Sequence, residues 1–292
     1  MPGVTSEMSL VQVNGIEFHV EDRGNGAPVV LLHGFTGSSA SWFSISDELA
    51  WRHRVIALDL IGHGASYVSS DPKRYAFDRA LDDLAEVSNQ LGAARATWLG
   101  YSMGGRLALG FALRHPNRVS SLILESATPG IQDDAERQQR LAADVTLARR
   151  IEDAGTEVFV AEWERLPMWE SQRALPELVR ERQRELRLGN SAIGLANSLR
   201  GMGQGAQPSF WDRLGELDMP VLLIAGALDR KFAGIAGKMS VKIPHATVSI
   251  VANTGHAVHL EQPRDFARDV LAFLQRRESP GANDRQRGDR WT

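Results

Sequence analysis

Hydrophobic residues fall along this chain in two rhythms. In "PVVLLHG" (28–34), "HRVIALDL" (53–60), "ATWLGY" (96–101), "SSLILES" (120–126), "PVLLIAG" (220–226) and "ATVSIV" (246–251) the runs are short and largely apolar. Runs of this kind are expected of strands covered on both faces, as in a parallel sheet. Longer stretches with a helix-like pattern separate most of them. "SSASWFSISDELA" follows the first run, "FDRALDDLAEVSNQLG" the second and "MGGRLALGFALRHP" the third, while "PRDFARDVLAFLQRR" (263–277) closes the pattern. Strand–helix alternation of this kind predicts an α/β fold built on a doubly wound, mostly parallel sheet. Ahead of it, "MSLVQVNGIEFHVED" alternates about Asn14-Gly15, which predicts an N-terminal antiparallel hairpin.

The alternation lapses once. From about residue 129 to 212 no strand run appears and charge density rises. "DDAERQQRLAADVTLARRIEDAG" sets Leu141, Val145 and Ala148 at helical spacing, with Asp133 or Asp134 placed as N-cap. "LPELVRERQRELRLGN" reads as a second amphipathic helix whose stripe runs Leu178, Arg182, Leu186. The expected organisation is a core of residues 1–128 and 213–278, a helical lid over 129–212 and a flexible polar tail over 279–292.

Composition narrows the chemistry. There is no cysteine among the 292 residues, which excludes disulfides, thiolate catalysis and Cys-bound zinc. The formal net charge of −3 offers no basic field for nucleic acid or an anionic membrane. No signal peptide and no transmembrane run is visible, so a cytoplasmic enzyme with a small-molecule substrate is expected. Oligomeric state is not readable.

"GYSMG" (100–104) matches G-x-S-x-G and lies between a strand run and a helix run. That placement predicts a strained bend that lifts the Ser102 hydroxyl above the sheet edge, with Gly100 and Gly104 letting strand and helix pass closely. A serine hydroxyl needs a base, expected in the order serine, acid, histidine. His256 follows the last strand run and falls on the same edge as Ser102, whereas His245 precedes that run and falls on the far edge. Asp229 follows its strand run, Asp218 precedes its own, and Glu125 is the reserve acid. His259 is read as packing or support. Phe35 and Met103 are the candidates for the backbone N–H pair of an oxyanion hole. His33 is read as structural, and His63, in the glycine-rich turn "DLIGHGAS", is given no catalytic role. Arg106 stands about one helical turn beyond Ser102. Arg137, one turn before Leu141, is expected to point along the stripe of its helix, with Arg140 as its substitute.

Taken together, HGF (33–35), D-x-x-G-x-G-x-S (59–66), G-Y-S-M-G-G (100–105), G-x-x-D (226–229) and G-H (255–256) resemble the α/β-hydrolase superfamily across nearly the whole chain. A narrower resemblance, carried by "LLHGFTGSSASW", "GYSMGGRLAL", "LILESATPGI" and "NSLRGMGQGAQPSFWD", is to the 2-succinyl-6-hydroxy-2,4-cyclohexadiene-1-carboxylate synthases of menaquinone biosynthesis. It implies a carbon–oxygen lyase that eliminates pyruvate from a cyclohexene tricarboxylate through a Ser102–His256–Asp229 triad, with no metal and no organic cofactor. It also implies substrate-binding roles for Arg106, Arg137 and Arg187, and pocket-lining roles for Tyr101, Trp163 and Trp211. The helical stripe favours Arg182 over Arg187, and the resemblance favours Arg187. Arginine suits a carboxylate because its planar fork binds both oxygens and keeps its charge. The chain departs from the family in "GALDRKF", where Arg230 follows the aspartate and is expected to pair with it. Two other readings fit the same residues: a serine hydrolase of esters or of carbon–carbon bonds in ring-cleavage products, and a non-catalytic ligand-binding protein on this fold.

Overall fold

The computed structural model describes residues 6–278. The expected tail of 279–292 lies outside the described residues. Strands β1 (Ser6–Val13) and β2 (Ile16–Arg23) form the hairpin, with Val13 paired to Ile16 across Asn14-Gly15. Both turn residues have positive φ, 48° and 81°, as a two-residue hairpin turn of primed type requires. Then follow β3 (Ala27–Leu32), α1 (Ser46–Ala50), β4 (His53–Leu58), α2 (Phe77–Gln90), β5 (Ala96–Tyr101), α3 (Met103–Arg114) and β6 (Val119–Glu125). Three helices without intervening strands come next: α4 (Asp134–Trp163), α5 (Glu177–Leu188) and α6 (Ala192–Met202). The chain returns through β7 (Val221–Gly226), α7 (Arg230–Lys242), β8 (Ala246–Val251), α8 (Val258–Glu261) and α9 (Pro263–Glu278).

The eight strands form one sheet in the order β1-β2-β4-β3-β5-β6-β7-β8. The pairs β1–β2 and β2–β4 are antiparallel and the rest parallel. The continuous apolar runs have a simple cause. Successive side chains point to opposite faces, and both faces are covered. Val30, Leu32, Trp98, Leu122, Leu124 and Leu223 join the core under α2, α3 and α7, whereas Val29, Leu31, Leu99, Ile123 and Leu222 join the core under α1 and α9. Trp98 stacks on Phe111 of α3 at 4.0 Å between ring centroids, and neither side chain is exposed. Burying a phenylalanine this way contributes roughly 1.5–3 kcal/mol.

Three expectations are corrected. "ATVSIV" reads as a strand buried on both faces, but β8 is the edge of the sheet and leaves Val248 and Ile250 exposed. "SSASWFSISDELA" is not one helix: a single turn at Ser39–Trp42 precedes the short α1. In α4, Asp133 is the N-cap, accepting from the Glu136 N–H, but the helix continues past the end of the amphipathic segment and breaks at Gly155. That residue has φ 79° and ψ 166°, a conformation open in practice only to glycine. The ends of the helical insertion meet where the Phe210 N–H donates to the Pro129 carbonyl at 2.7 Å. Inside it, Ala148, Ile151, Phe159 and Val160 of α4 pack on Leu195, Ala196 and Leu199 of α6, forming a third cluster against which Phe35 and Trp163 also pack. No described helix is long and apolar enough to cross a membrane.

Candidate active site

Ser102 sits between β5 and α3 with φ 50° and ψ −106°. Positive φ in a residue with a Cβ costs free energy and persists only where surrounding contacts enforce it. Those contacts are backbone to backbone. A Cβ on Gly104 would overlap the Leu32 carbonyl oxygen, and one on Gly100 would overlap the Gly104 carbonyl. The Ser102 N–H donates to the Glu125 carbonyl on β6 at 2.8 Å, and the Ser102 carbonyl accepts from the Arg106 N–H at 3.0 Å. The serine is thereby held at the C-terminal edge of the parallel strands, where open α/β sheets place their ligands.

His256, after β8, brings Nε2 to 3.1 Å from the Ser102 oxygen, and its Nδ1 donates to Asp229 Oδ2 at 2.6 Å. Asp229 follows β7 and has two tasks, because its other oxygen caps α7 by accepting from the Phe232 N–H at 3.3 Å. The cap fixes the carboxylate that orients the imidazole. Hydroxyl, imidazole and carboxylate thus lie in line, the geometry that a serine triad requires. Among the described residues the Phe35 and Met103 amides donate to no other group, and both residues line the cavity over Ser102. Glu125 is not in reserve for His256. Its carboxylate is taken up by His259, at 2.8 and 2.9 Å from Nδ1. Asp218 and His245 lie together in a surface depression that shares no lining residue with the Ser102 cavity.

The cavity over Ser102 holds about 390 Å³. Tyr101, Arg106, Arg140, Trp163, Trp169, Lys231, Phe232 and His256 line it, with Phe35 and Met103. Arg106 is buried and donates from Nη1 to the Met202 carbonyl at 2.7 Å and to Gln207 Oε1 at 3.2 Å. Burial pulls its guanidinium down to about 10, against the pull of Asp144, so it remains cationic at neutral pH. Burial, helped by the Glu125 charge, raises the Tyr101 hydroxyl well above its usual range and keeps it a donor.

The lid cations divide. Arg137 does not line the cavity and pairs with Asp134 on its own helix at 2.9 Å. Arg140 lines the cavity instead, held by Asp144 at 2.7 Å and by Gln204 at 3.1 Å. The difference is one of position along the helix, since residues three apart share a side and Arg140 stands one turn nearer Asp144 and Gln204. The inward face of α4 runs Arg140, Asp144, Ala148, Ile151, one residue away from the stripe that hydrophobicity alone suggests, because the buried Asp144 belongs to it. On α5 the stripe through Leu178 and Arg182 faces solvent, with Arg182 lying over the Phe43 ring at 4.0 Å. Arg187 is the buried one. It pairs with Glu164 at 3.0 Å, lies 5.3 Å from the Trp169 ring and lines a side space of about 30 Å³ together with Phe35, Tyr101 and His259. Trp163 reaches the cavity, with its ring centroid 5.5 Å from Phe35. Trp211 does not, since it donates to the Gly130 carbonyl at 3.0 Å and lines an outer groove. Arg230 is exposed and makes no ion pair with Asp229 among the described residues. His33 receives the Leu60 N–H at 3.0 Å and contacts the Gly34 carbonyl. Burial lowers His33 to about 4 and His63 to about 3, so both are neutral struts of the edge loops.

Residues that sequence reasoning missed include Lys231, Phe232 and Trp169. The first two follow Asp229 at a strand end and could have been found by counting onward from the acid. Trp169 lies in the eight-residue 3₁₀ segment Pro167–Ala174, and no periodicity marks it.

The family pattern described as alpha/beta hydrolase fold matches residues 27–263. A Bacillus subtilis (strain 168) protein named as a candidate 2-succinyl-6-hydroxy-2,4-cyclohexadiene-1-carboxylate synthase is 47% identical over 89% of this chain and 96% of its own length. A Klebsiella pneumoniae (strain 342) protein named as that synthase is 33% identical over 84% of this chain and 92% of its own. The solved structure of MenH from S. aureus superposes with a TM-score of 0.84, at 34% identity, covering 95% of this chain and all of the other.

Proposed function

The chain belongs to the alpha/beta hydrolase fold family, and we propose that within it this protein is a carbon–oxygen lyase of the 2-succinyl-6-hydroxy-2,4-cyclohexadiene-1-carboxylate synthase type. In this reading it works in the cytoplasm on a small cyclohexene tricarboxylate, binding neither nucleic acid nor membrane. One observation carries the reading: a buried guanidinium, Arg106, opens onto the same cavity as the Ser102–His256 pair. Simple ester hydrolysis has no use for a cation there, whereas a substrate with several carboxylates does. Arg140 and Lys231 are further cations on that cavity, and Arg187 lies on the adjoining space. Tyr101 and Trp163 shape the walls.

The mechanism reuses the parts of a hydrolase. His256, oriented by Asp229, takes the Ser102 proton, and the serine oxygen removes a proton from a ring carbon of the substrate. The electron pair left behind forms the conjugated double bond and expels the enolpyruvyl oxygen. The carbon–oxygen bond breaks, and the enolate gains a proton to become pyruvate. The Phe35 and Met103 amides and the arginines hold the negative charge that moves during the step. Carboxylate anchoring decides that a carbon-bound proton, rather than a carbonyl carbon, meets the serine oxygen within about 3 Å.

The test is pyruvate release from the tricarboxylate, read together with the absorbance of the conjugated diene. Ser102→Ala is expected to lower turnover by at least ~10³-fold. Arg106→Ala is expected to lower kcat/KM by about 10–100-fold, the worth of a charge-assisted bond or two. Unchanged turnover in either variant overturns the assignment. A burst of activated-ester hydrolysis with no pyruvate replaces it with a serine hydrolase. Tight ligand binding that survives Ser102→Ala, with no product, replaces it with a binding protein.

A further inference from the structure

Ser102 and His256 lie 154 residues apart on different elements, and their 3.1 Å approach needs something that ties the two elements together. Glu125 touches both. Its backbone carbonyl accepts the Ser102 N–H at 2.8 Å. Its carboxylate accepts the His259 N–H at 3.0 Å and the His259 Nδ1–H at 2.8 and 2.9 Å. His259 lies three residues beyond His256, in the short α8, and neither side chain of the pair meets solvent appreciably, at 0% exposure for Glu125 and 4% for His259. The Tyr101 ring fills the space between the two imidazoles, 5.4 Å from His256 and 4.8 Å from His259. Glu261 braces the same loop by accepting from the Gly255 N–H at 2.6 Å and the Ala257 N–H at 3.3 Å. That brace is local to the loop and does not reach the serine bend.

We infer that Glu125 and His259 are positioning residues: this second, buried carboxylate–imidazole pair sets the distance and angle between the Ser102 oxygen and His256 Nε2. The inference rests on Ser102 and His256 as the reacting pair, but not on the identity of the substrate. The pair's chemistry suits the task. A hydrogen-bonded buried pair has one geometry, whereas an apolar contact in its place would hold the loop with less directional control. Reactivity is sensitive to such errors, because a misplacement of about 1 Å costs on the order of 10²-fold.

The experiment measures how fast an organophosphonofluoridate labels Ser102. The serine oxygen displaces fluoride from phosphorus while its proton passes to His256, so the rate reports the alignment of the two without any substrate. Glu125→Gln turns an amide NH2 toward the His259 donors. His259→Phe keeps the ring packing against Trp42 and Tyr101 and removes the donor. Each is expected to slow labelling by about tenfold or more. His259→Asn keeps an N–H near the Nδ1 position and is expected to recover to within about threefold of wild type. The double variant Glu125→Met with His259→Phe removes both side-chain partners and leaves only the residue-259 N–H without its acceptor, so its melting temperature is expected to recover part of the way from either single variant toward wild type while labelling stays slow. A double variant that labels at the wild-type rate shows that the pair supplies stability alone and overturns the inference. So does slow labelling by a folded His259→Asn. A wild-type protein that labels at Ser102 but releases no pyruvate sinks the lyase reading and leaves this one standing. A wild-type protein that does not label at Ser102 sinks the positioning claim.

Discussion

The sheet edge and the lid place their functional side chains by different means. At the edge, Ser102, Asp229 and His256 each follow a strand, after β5, β7 and β8. A strand end has only one place to be once the sheet order is set, and a backbone packed as tightly as Gly104 on Leu32 leaves no latitude. In the lid, Arg140, Trp163 and Arg187 project from helices, where each step along the chain turns the side chain by about 100°. Arg137 and Arg140 share one side of a helix a turn apart, yet only Arg140 lines the cavity. The serine–histidine–aspartate set therefore depends on sheet topology, and the cavity's cations on which turn and face of a helix carries them.

If the edge is as rigid as that, changing one atom there should cost more than removing a whole lid charge. Asp229→Asn keeps a good helix cap for α7 but presents an amide to His256, so kcat is expected to fall by about 10⁴-fold with little change in melting temperature. A fall of less than tenfold would mean that the acid is not needed to hold the imidazole. The lid is next. Arg140→Gln is expected to lower kcat/KM by about 10–100-fold, and Arg137→Gln by less than about twofold because its partner is an exposed neighbour. Equal losses in the two variants would show that the site extends one turn further along α4 when substrate is bound.

The smallest effect is on stability. His33 and His63 are held neutral by burial, down to about 4 and about 3, from an ordinary value of 6.5. The unfolded chain takes up protons on these imidazoles below about 6.5 while the folded chain does not. Their stabilising effect is therefore complete above that pH and is lost as the pH falls toward 4. The slope is at most about 1.4 kcal/mol per pH unit for each imidazole. Urea midpoints measured between pH 7.5 and 4.5 should fall accordingly, and His63→Phe, which keeps a ring against Phe35, should flatten the slope. A midpoint that does not move with pH would remove the edge histidines from the comparison.

The sequence is readable to the extent that burial follows chain-local rules. Strands β3 to β7 show as apolar runs because both their faces are covered. β8 shows the same run although it is an edge, since sheet order is a tertiary fact. Helix α7 escapes because Gly234 and Gly237 interrupt its rhythm, even though Asp229 marks its start. The Arg140 face escapes because Asp144, a buried acid, counts as polar in any hydrophobic stripe. The pairing of Glu125 with His259 joins residues 134 positions apart, at the ends of different elements, which no local pattern announces.

The break at Gly155 has a consequence for how such a protein can diversify. The few residues beyond it swing Phe159 and Trp163 onto Phe35, so one unusual glycine sets the angle of the cavity roof. A lineage could widen or narrow what it admits by moving that elbow along the helix, leaving every reacting atom where it was.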